Sequence, residues 1–185
     1  MKKNIGLFGG TFDPIHRGHI DIAELFVKKC NLEKCIFIPT KLSPFKTQKK
    51  DNLFSIEERV NLIKDNIKYN PKFEISEFEI KSENVISYSI DTVKYFSTKF
   101  SSYFLFFLIG TDQAIKFDKW KDYKEILKLV NVVIATRPEV FSDDDMNCIK
   151  RIFKGKEIWL NNDIIPITAT KIREKIINNK YDYKI

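Results

Sequence analysis

The sequence predicts an α/β protein with a doubly wound parallel sheet, folded as a single domain over residues 1–185. The chain has 185 residues, of which 43% are hydrophobic, a size at which one domain buries roughly 70% of its unfolded surface. Short apolar segments rich in Ile, Val and Phe alternate along the chain with segments of helical period. Repeated strand–helix units of this kind form parallel sheets with right-handed crossovers.

The predicted strands are short and continuously apolar, as is typical of strands that are covered on both faces. They are residues 4–8, 35–39, 103–109 and 131–136. A fifth segment, residues 72–80, alternates apolar and polar residues, which predicts a strand with one face toward water.

Helical periodicity predicts helices over residues 18–29, 56–68, 90–99, 122–129, 144–153 and 170–178. The second of these has a clear start, because Ser55 and Glu58 have the spacing of a capping box. In open α/β sheets the ligand binds beyond the carboxyl ends of the strands, where the chain enters a helix. Functional residues are therefore expected directly after the predicted strands.

The composition is basic, with 32 Lys and Arg against 25 Asp and Glu and a formal net charge of +7. Such a field favours anionic partners, although lysines spread over solvated faces would give the same charge. The three cysteines, Cys30, Cys35 and Cys148, lack C-x-x-C spacing and predict buried free thiols in a reducing compartment. The N-terminus has no secretory apolar region, and the longest apolar run, residues 103–109, is too short to span a membrane. We therefore expect a cytoplasmic protein without membrane contact.

Residues 6–20, GLFGGTFDPIHRGHI, contain both histidines of the chain and four of its six glycines. Gly9 and Gly10 follow the first predicted strand, where they would let the backbone turn sharply and approach a ligand closely. Asp13 and Pro14 predict a turn before a helix, since Asp can bind backbone N–H groups. His16 and His19 are three residues apart, which places both rings on one face of that helix.

Two imidazoles at the N-terminus of a helix are suited to bind phosphate and to stabilise negative charge that grows in a transition state. Structural histidines are the alternative. A zinc site is disfavoured, because it would need a third ligand and only carboxylates such as Asp13 or Asp112 could supply one. The glycine-rich turn also matches neither a P-loop nor the G-x-G-x-x-G dinucleotide motif.

The stretch GGTFDPIHRGH, residues 9–19, resembles the signature of nucleotidyltransferases that share the H-x-G-H motif with class I aminoacyl-tRNA synthetases. It is most similar to the bacterial nicotinate-nucleotide adenylyltransferases. Four further segments are similar to elements of that family in the same order: SYSIDT (87–92), IGTDQAIKFDKW (109–120), RP (137–138) and ITATKIRE (167–174). The resemblance covers roughly residues 4–178 and implies a Rossmann-like nucleotidyltransferase fold.

The resemblance implies adenylyl transfer from ATP to nicotinate mononucleotide, with Mg²⁺ bound with ATP and with His16 and His19 as the catalytic residues. The ATP and phosphate contacts that we expect are Gly9, Gly10, Thr11, Phe12, Lys46, Gly110, Asp112, Thr168, Thr170 and Arg173. The contacts that we expect to nicotinate mononucleotide are Ser87, Tyr88, Ser89, Trp120 and Arg137.

Several of these residues also have an ordinary structural interpretation. One alternative is an ordinary capped helix that contains Thr168, Thr170 and Arg173, with the arginine on its surface. The other is an anion site, in which the free N–H groups of the helix start, a threonine hydroxyl and the guanidinium all face one anion. Asp112 could cap a helix instead of binding a ribose, and Trp120 could be a core residue instead of stacking on the pyridine ring. Arg137 could contact substrate phosphate or fix its loop.

The segment KLSPFK differs from the family pattern, because Phe45 replaces the usual His before Lys46. Ser89 also replaces a Thr. A helix that follows Ser87–Ser89 would present free backbone N–H groups at its start. Such groups favour a carboxylate, as in nicotinate, over a neutral amide, as in nicotinamide.

Two other functions stay open at this point. Within the same family the acceptor could be phosphopantetheine, and outside it the basic chain could be an RNA-binding module without turnover. We expect no nucleic-acid partner and leave a homo-oligomer open.

Overall fold

The computed structural model describes residues 2–44, 52–136, 141–160 and 169–179. Its strands are β1 (Asn4–Gly10), β2 (Leu32–Pro39), β3 (Phe73–Ile75), β4 (Phe104–Gly110), β5 (Asn131–Ala135) and β6 (Ile158–Trp159). Its helices are α1 (Arg17–Lys29), α2 (Ile56–Ile67), α3 (Phe78–Lys81), α4 (Ser89–Lys99), α5 (Thr111–Ala114), α6 (Tyr123–Leu129), α7 (Asp143–Phe153) and α8 (Ala169–Asn179).

Within these ranges the strands form one six-stranded sheet in the order β3-β2-β1-β4-β5-β6, and every neighbouring pair is parallel. The chain builds outward from β1 to β3, then returns to the other side of β1 and builds outward to β6. This arrangement confirms the predicted doubly wound α/β fold. The order reverses between β1 and β4, so a ligand crevice is expected at the carboxyl ends of these two strands.

The two faces of the sheet carry separate hydrophobic clusters. One cluster includes Ala23 and Phe26 of α1 and Ile63 of α2. The other includes Phe96 of α4 and Ile149 of α7. Helices thus cover both faces, which explains why the central strands are continuously apolar.

Helix α1 packs closely against the sheet because β1 has no side chain at Gly6. A Cβ atom at this position would lie 2.4 Å from Leu32 Cδ1 and 2.7 Å from Phe26 Cε1. Real Cβ atoms do not approach carbon this closely, so the native packing of α1 and β2 requires glycine here.

The predicted capping box at the start of α2 is confirmed. The Glu58 backbone N–H donates to Ser55 Oγ, and the Ser55 backbone N–H donates to Glu58 Oε2 at 2.7 Å. Each bond satisfies a backbone donor that the first helical turn leaves without an intrahelical acceptor.

The prediction of a strand over residues 72–80 is wrong after Ile75. Strand β3 has three residues, and the helical turn α3 follows it. Apolar residues occupy positions 73 and 75 but then 78 and 80, so the alternation shifts by one residue at Ser76 and Glu77. A continued strand would have turned its two apolar pairs to opposite faces, whereas a helical turn allows both pairs to pack. Strand β6 and the short helix α5 are two further elements that the sequence pattern did not predict.

The described cysteines are all free thiols, as predicted; Cys30 and Cys35 are buried and Cys148 is half-buried. Burial raises the pKa of the Cys30 thiol to about 11. No helix in the described ranges is long and apolar enough to cross a membrane. That the whole of residues 1–185 belongs to one domain stays a prediction.

Candidate active site

A cavity of about 680 Å³ opens at the carboxyl edge of the sheet, where the strand order reverses. Residues from the ends of β1 and β4 and from the start of α4 line it. It brings together eight of the residues predicted from the sequence: Gly9, Gly10, Thr11, Ser87, Tyr88, Ser89, Gly110 and Trp120. These residues lie up to about a hundred positions apart in the sequence, and the fold brings them to one cavity.

The two histidines lie at the N-terminus of α1, beside this cavity. Their ring centroids are 3.8 Å apart, which confirms that both rings share one face. His16 is the N-cap residue, and its backbone N–H donates to His19 Nδ1 at 3.2 Å. Because Nδ1 of His19 accepts a hydrogen bond, the neutral ring carries its proton on Nε2 and presents Nε2–H as a donor.

Phe8 connects the histidines to the cavity. Phe8 lines the cavity, and its ring centroid lies 6.1 Å from that of His19. His16 is 8% exposed and His19 is half-buried, so the His16 ring is shielded from bulk water, a condition under which hydrogen bonds to charged oxygens are strengthened.

The expected role of Gly9 and Gly10 as turn residues is wrong. Both belong to β1, and their partners in β2 are Ile38 and Pro39. The left-handed conformation occurs at Phe12, with φ of 47°. Gly9 and Gly10 instead leave the end of the strand bare where it lines the cavity.

Phe12 is 2% exposed and its ring packs among the core aromatic residues, with its centroid 5.3 Å from that of Phe8 and 5.7 Å from that of Phe37. A contact of Phe12 with ATP would therefore have to come from its backbone. The buried ring holds the turn against the sheet.

Asp13 binds backbone N–H groups, as its turn position predicted, but these groups lie far away in the sequence. Its carboxylate accepts hydrogen bonds from the backbone N–H groups of Leu53 at 3.0 Å and Phe54 at 2.9 Å. Asp13 thus connects the turn after β1 to the segment that begins α2.

Arg59 is a positioning residue that the sequence analysis missed. Its side chain is 0% exposed, and Nη1 donates to the backbone carbonyl oxygens of Thr11 at 2.5 Å and Thr40 at 3.1 Å. One guanidinium therefore ties the segment after β1 to the segment after β2. Burial lowers its pKa, and nearby Asp13 partly offsets this effect.

Ser87, Tyr88 and Ser89 form the start of α4, as the sequence predicted. Tyr88 is the N-cap residue and Ser89 the first helical residue. The Ser87 backbone N–H donates to the Leu42 carbonyl oxygen at 2.9 Å, and Ser87 Oγ accepts from the Lys41 backbone N–H at 3.2 Å. These bonds fix the helix start against the segment that follows β2.

Trp120 packs against the core and also lines the cavity, so its structural alternative is confirmed, whereas stacking on a pyridine ring stays a prediction. Its ring centroid lies 4.8 Å from that of Phe117 and 6.1 Å from that of Phe107. The neighbouring Lys121 also lines the cavity, and its Nζ lies 4.6 Å from the Tyr88 ring centroid. A cation is thus placed next to the start of α4.

Asp112 lies in the first turn of α5, whose N-cap residue is Gly110. The alternative that Asp112 caps this helix is therefore wrong. Its Oδ2 accepts a hydrogen bond from Gln113 Nε2 at 3.0 Å. The cavity lining includes Gly110 and Gln113, whereas Asp112 lies beside it.

Thr170 and Arg173 share one face of α8, as their spacing predicted. Arg173 Nη2 donates to Thr170 Oγ1 at 3.1 Å, and Nη1 donates to the Asp13 carbonyl oxygen at 2.8 Å. The C-terminal helix therefore contacts the turn that carries the histidines. Lys46, Thr168 and Arg137, together with Phe45, lie outside the described residues.

Glu79 is a second residue that the sequence pattern did not single out, because residues 72–80 were predicted as one strand and the helical turn α3 was not foreseen. It is 8% exposed, lines the cavity, and its Oε1 accepts a hydrogen bond from Thr92 Oγ1 at 2.7 Å. Burial raises its pKa. The one-residue shift in the alternation at Ser76 was the signal that could have located it.

Across the ranges that the structure describes, no group of three or more His, Cys, Asp or Glu side chains could hold a metal ion. The donors that the site offers are instead imidazoles, hydroxyls, backbone N–H groups and a guanidinium. This set suits phosphate oxygens.

Comparison with known proteins agrees with this geometry. The model of the cytidylyltransferase-like family matches residues 7–175. A protein of Clostridium novyi named probable nicotinate-nucleotide adenylyltransferase is 40% identical over 183 residues, which cover 97% of this chain and 90% of that protein. A protein of the same name from Dictyoglomus turgidum is 34% identical over 93% of this chain and 83% of that protein.

A solved structure shares the fold. It is the Plasmodium falciparum nicotinic acid mononucleotide adenylyltransferase complexed with NaAD, with a TM-score of 0.74 at 18% identity over 96% of this chain and 88% of that one. The matches confirm the resemblance drawn from the motifs. The chain belongs to the cytidylyltransferase-like family and, within it, to the nicotinate-nucleotide adenylyltransferases.

Proposed function

We propose that this protein transfers an adenylyl group from ATP to nicotinate mononucleotide, giving nicotinate adenine dinucleotide and pyrophosphate. The observation that carries the proposal is the position of two helix starts at the same edge of the sheet. The His16–His19 pair begins α1 beside the end of β1, and Ser87–Ser89 begin α4 on the wall of the cavity between β1 and β4.

The cavity is the binding site for the mononucleotide. Backbone N–H groups at the start of an eleven-residue helix carry partial positive charge, which suits the carboxylate of nicotinate better than the neutral amide of nicotinamide. Trp120 on the same wall offers an indole face to the pyridinium ring, a favourable cation–π arrangement.

In the reaction, an oxygen of the mononucleotide 5′-phosphate forms a bond to the α-phosphorus of ATP. The bond between the α-phosphorus and its bridging oxygen to the β-phosphate breaks, and pyrophosphate leaves with that electron pair. The protein needs no covalent intermediate for this step, so positioning and charge stabilisation supply the rate.

His16 and His19 donate hydrogen bonds to the α- and β-phosphate oxygens as their negative charge grows. The bond from the His16 backbone to His19 Nδ1 supports this role, because it orients the Nε2–H of His19 as a donor. Both rings lie at the positive end of α1, which adds to the stabilisation of the anion.

Gly9, Gly10, Thr11, Phe12 and Gly110 provide the backbone that faces the nucleotide, and Asp112 binds a ribose hydroxyl. Thr170, Arg173, Thr168 and Lys46 hold the outer phosphates, and Arg137 contacts the mononucleotide phosphate. The contact of Arg173 with the Asp13 carbonyl supports its place in this set, because it brings the guanidinium to the turn that precedes the histidines.

Mg²⁺ would enter with ATP and lie on its phosphates, since no cluster of carboxylate, imidazole or thiolate ligands occurs among the described side chains. Bound there, the cation would neutralise charge on the triphosphate and on the leaving pyrophosphate. The protein residues would hold this complex through the phosphate oxygens.

Pyrophosphate release from ATP and Mg²⁺ tests the proposal when nicotinate mononucleotide, nicotinamide mononucleotide and phosphopantetheine are supplied separately. We expect release with the acid mononucleotide at a kcat/KM at least about tenfold above that for the amide, because one differential charge contact is worth about 1.4 kcal/mol or more. Release with phosphopantetheine alone would contradict the proposal.

His16→Ala and His19→Ala are each expected to lose about 2.7 to 4 kcal/mol of transition-state stabilisation, the magnitude measured for one oxyanion donor. The measurement is kcat/KM for pyrophosphate release. Lys28→Ala is the matched control, because Lys28 is exposed in the last turn of the same helix. A loss of folding in the histidine variants, seen as lost circular dichroism, would contradict a catalytic role.

We further infer that the protein acts in the cytoplasm and has no nucleic-acid partner. An RNA-binding function would show an affinity that falls steeply with salt and does not depend on either histidine. Gel-shift titrations of the parent and His19→Ala proteins at two salt concentrations test this inference. Sedimentation of the parent distinguishes a monomer from a homo-oligomer.

A further inference from the structure

Glu79 is the buried acidic side chain on the wall of the cavity. It is 8% exposed and lies on the helical turn α3, between the end of β2 and the start of α4. Thr92, one turn into α4, donates its hydroxyl to Glu79 Oε1 at 2.7 Å. Through this bond Glu79 contacts the helix whose first residues form the mononucleotide site.

The second oxygen of the carboxyl group is buried as well. Within the described part of the chain, Oε2 of Glu79 makes no hydrogen bond that meets normal geometry, although the Ser87 and Thr40 hydroxyls lie near enough to the carboxyl group to lower its pKa. Ser87 is the first residue of the SYS segment, and Thr40 follows β2. The carboxyl group therefore lies where the segment after β2 and the start of α4 come together, and both of these segments line the cavity.

Among the described residues, the lysines near Glu79 in the sequence have other partners, while Lys119 and Lys121 line the same cavity, with Lys121 Nζ 4.6 Å from the Tyr88 ring centroid. On α4, Asp91 adds negative charge and raises the pKa of Glu79. On α3, Lys81 binds Glu77 at 3.2 Å, and after β2 the Lys41 ammonium donates to the Ser82 carbonyl oxygen at 2.7 Å. Burial is the largest influence on the carboxyl group and raises its pKa, so Glu79 stays protonated to a higher pH than an exposed Glu would.

We propose that Glu79 is a positioning residue that sets the specificity of the mononucleotide site: it lies on the cavity wall, and its hydrogen bond with Thr92 holds the first turn of α4 against the segment after β2. The proposal rests on the proposed function. An ionised carboxylate here would repel the carboxylate of the acid substrate across the cavity wall, whereas the neutral acid keeps the hydrogen bond and leaves the helix N-terminus to attract the substrate.

The test compares Glu79→Gln with Glu79→Ala, using the full chain and both mononucleotides. Gln keeps the size and the acceptor for Thr92 but cannot ionise. We expect Glu79→Gln to keep the KM for nicotinate mononucleotide within about twofold of the parent, and Glu79→Ala to raise it about tenfold or more. The KM for ATP should change by less than about twofold in both variants, because Glu79 lies on the mononucleotide wall.

The pH dependence provides a second readout. In the parent, the KM for the acid mononucleotide should rise as the pH increases through the raised pKa of Glu79, because the ionised form repels the substrate. In Glu79→Gln this rise should disappear, while titration of the substrate phosphate, common to both proteins, remains. An unchanged pH profile in Glu79→Gln would overturn the proposal.

Glu77→Gln is the matched control. Glu77 lies two residues away on the same turn, but it pairs with Lys64 at 3.1 Å and with Lys81, outside the cavity lining. Its substitution should leave both KM values unchanged. If Glu77→Gln raises the KM for the mononucleotide as much as Glu79→Ala does, the role of Glu79 is not specific and the proposal fails.

Thr92→Val keeps the test decisive if Glu79→Ala does not fold, since it removes only the hydroxyl donor. We expect it to raise the KM for the acid mononucleotide about threefold or more, with the KM for ATP unchanged. An unchanged KM in Thr92→Val would overturn the proposal. A Glu79→Gln protein whose KM is raised as much as that of Glu79→Ala would also overturn it.

Calorimetric titration with nicotinate mononucleotide separates the proposed function from the role of Glu79. A parent protein that binds the mononucleotide without releasing pyrophosphate contradicts the proposed function, while the affinities of the variants still decide the role of Glu79.

Discussion

Gly6 and Gly9 lie on the same strand, three residues apart, but an added methyl group would meet different surroundings. At Gly6 the new Cβ would overlap Leu32 and Phe26 at 2.4 and 2.7 Å, whereas at Gly9 its nearest neighbour is Phe107 Cε2 at 3.8 Å. The first glycine is required by the packing of α1. The second borders the cavity.

Gly6→Ala is therefore expected to lower the free energy of unfolding by about 1 to 3 kcal/mol, the cost of overpacking a filled core. Gly9→Ala should change it by less than about 1 kcal/mol but should raise the KM for substrate, because the methyl group narrows the cavity. Urea denaturation and steady-state kinetics on both variants test the contrast. Equal destabilisation of the two proteins would contradict this assignment.

Single site residues could be predicted where a residue type suited to ligand binding occurs next to the end of a predicted strand or the start of a predicted helix. The site glycines end strands, the histidine pair and the SYS segment lie at helix starts, and the fold brings the glycines and the SYS segment to one cavity. Glu79 and Arg59 were missed because each acts through partners far away in the chain: Thr92 is 13 residues from Glu79, and Thr11 is 48 residues from Arg59. Local pattern carries no information on such pairs.

Elements position the site through a small number of side chains that cross between them. Helix α2 supplies Arg59, whose guanidinium holds the carbonyl oxygens of Thr11 and Thr40. The segment before α2 supplies the two backbone N–H groups that bind Asp13. Helix α8 reaches the same turn through Arg173. Three parts of the chain thus fix the turn between β1 and α1.

Arg59→Met is expected to lower kcat/KM by about tenfold or more, because the segments after β1 and β2 lose their common donor. The free energy of unfolding should change much less than kcat/KM, since replacing a buried charge with an apolar side chain offsets the lost hydrogen bonds. Asn61→Met, exposed on the same helix, is the control and should behave like the parent. If Arg59→Met keeps full activity, the two segments do not depend on this contact.

Helices and strands could be predicted where the hydrophobic pattern continues for enough residues to show its period. Six helices and four strands lie within a few residues of their predicted positions, and the capping box at Ser55 is confirmed. Strand β6 has two residues and α3 has four, so neither completes a recognisable period. At Ser76 the alternation shifts phase, so the predicted strand ends after Ile75 and the helical turn α3 carries Glu79 on the cavity wall.

At the level of the whole molecule, the sheet topology links the sequence to the proposed chemistry. The alternation of apolar strands and helices predicted parallel strands, and the reversal of strand order between β1 and β4 defines where the cavity opens. The starts of α1 and α4 both lie at that edge. Positive helix ends therefore border both the proposed phosphate site and the proposed carboxylate site.

The most direct test of this account is pyrophosphate release by the parent and His19→Ala proteins, with nicotinate and nicotinamide mononucleotides supplied separately. We expect the parent to prefer the acid strongly and His19→Ala to lose about 100-fold or more in kcat while keeping that preference, because recognition and catalysis belong to different helix starts. A His19→Ala protein that keeps its kcat, or a parent that uses both mononucleotides equally, would contradict it.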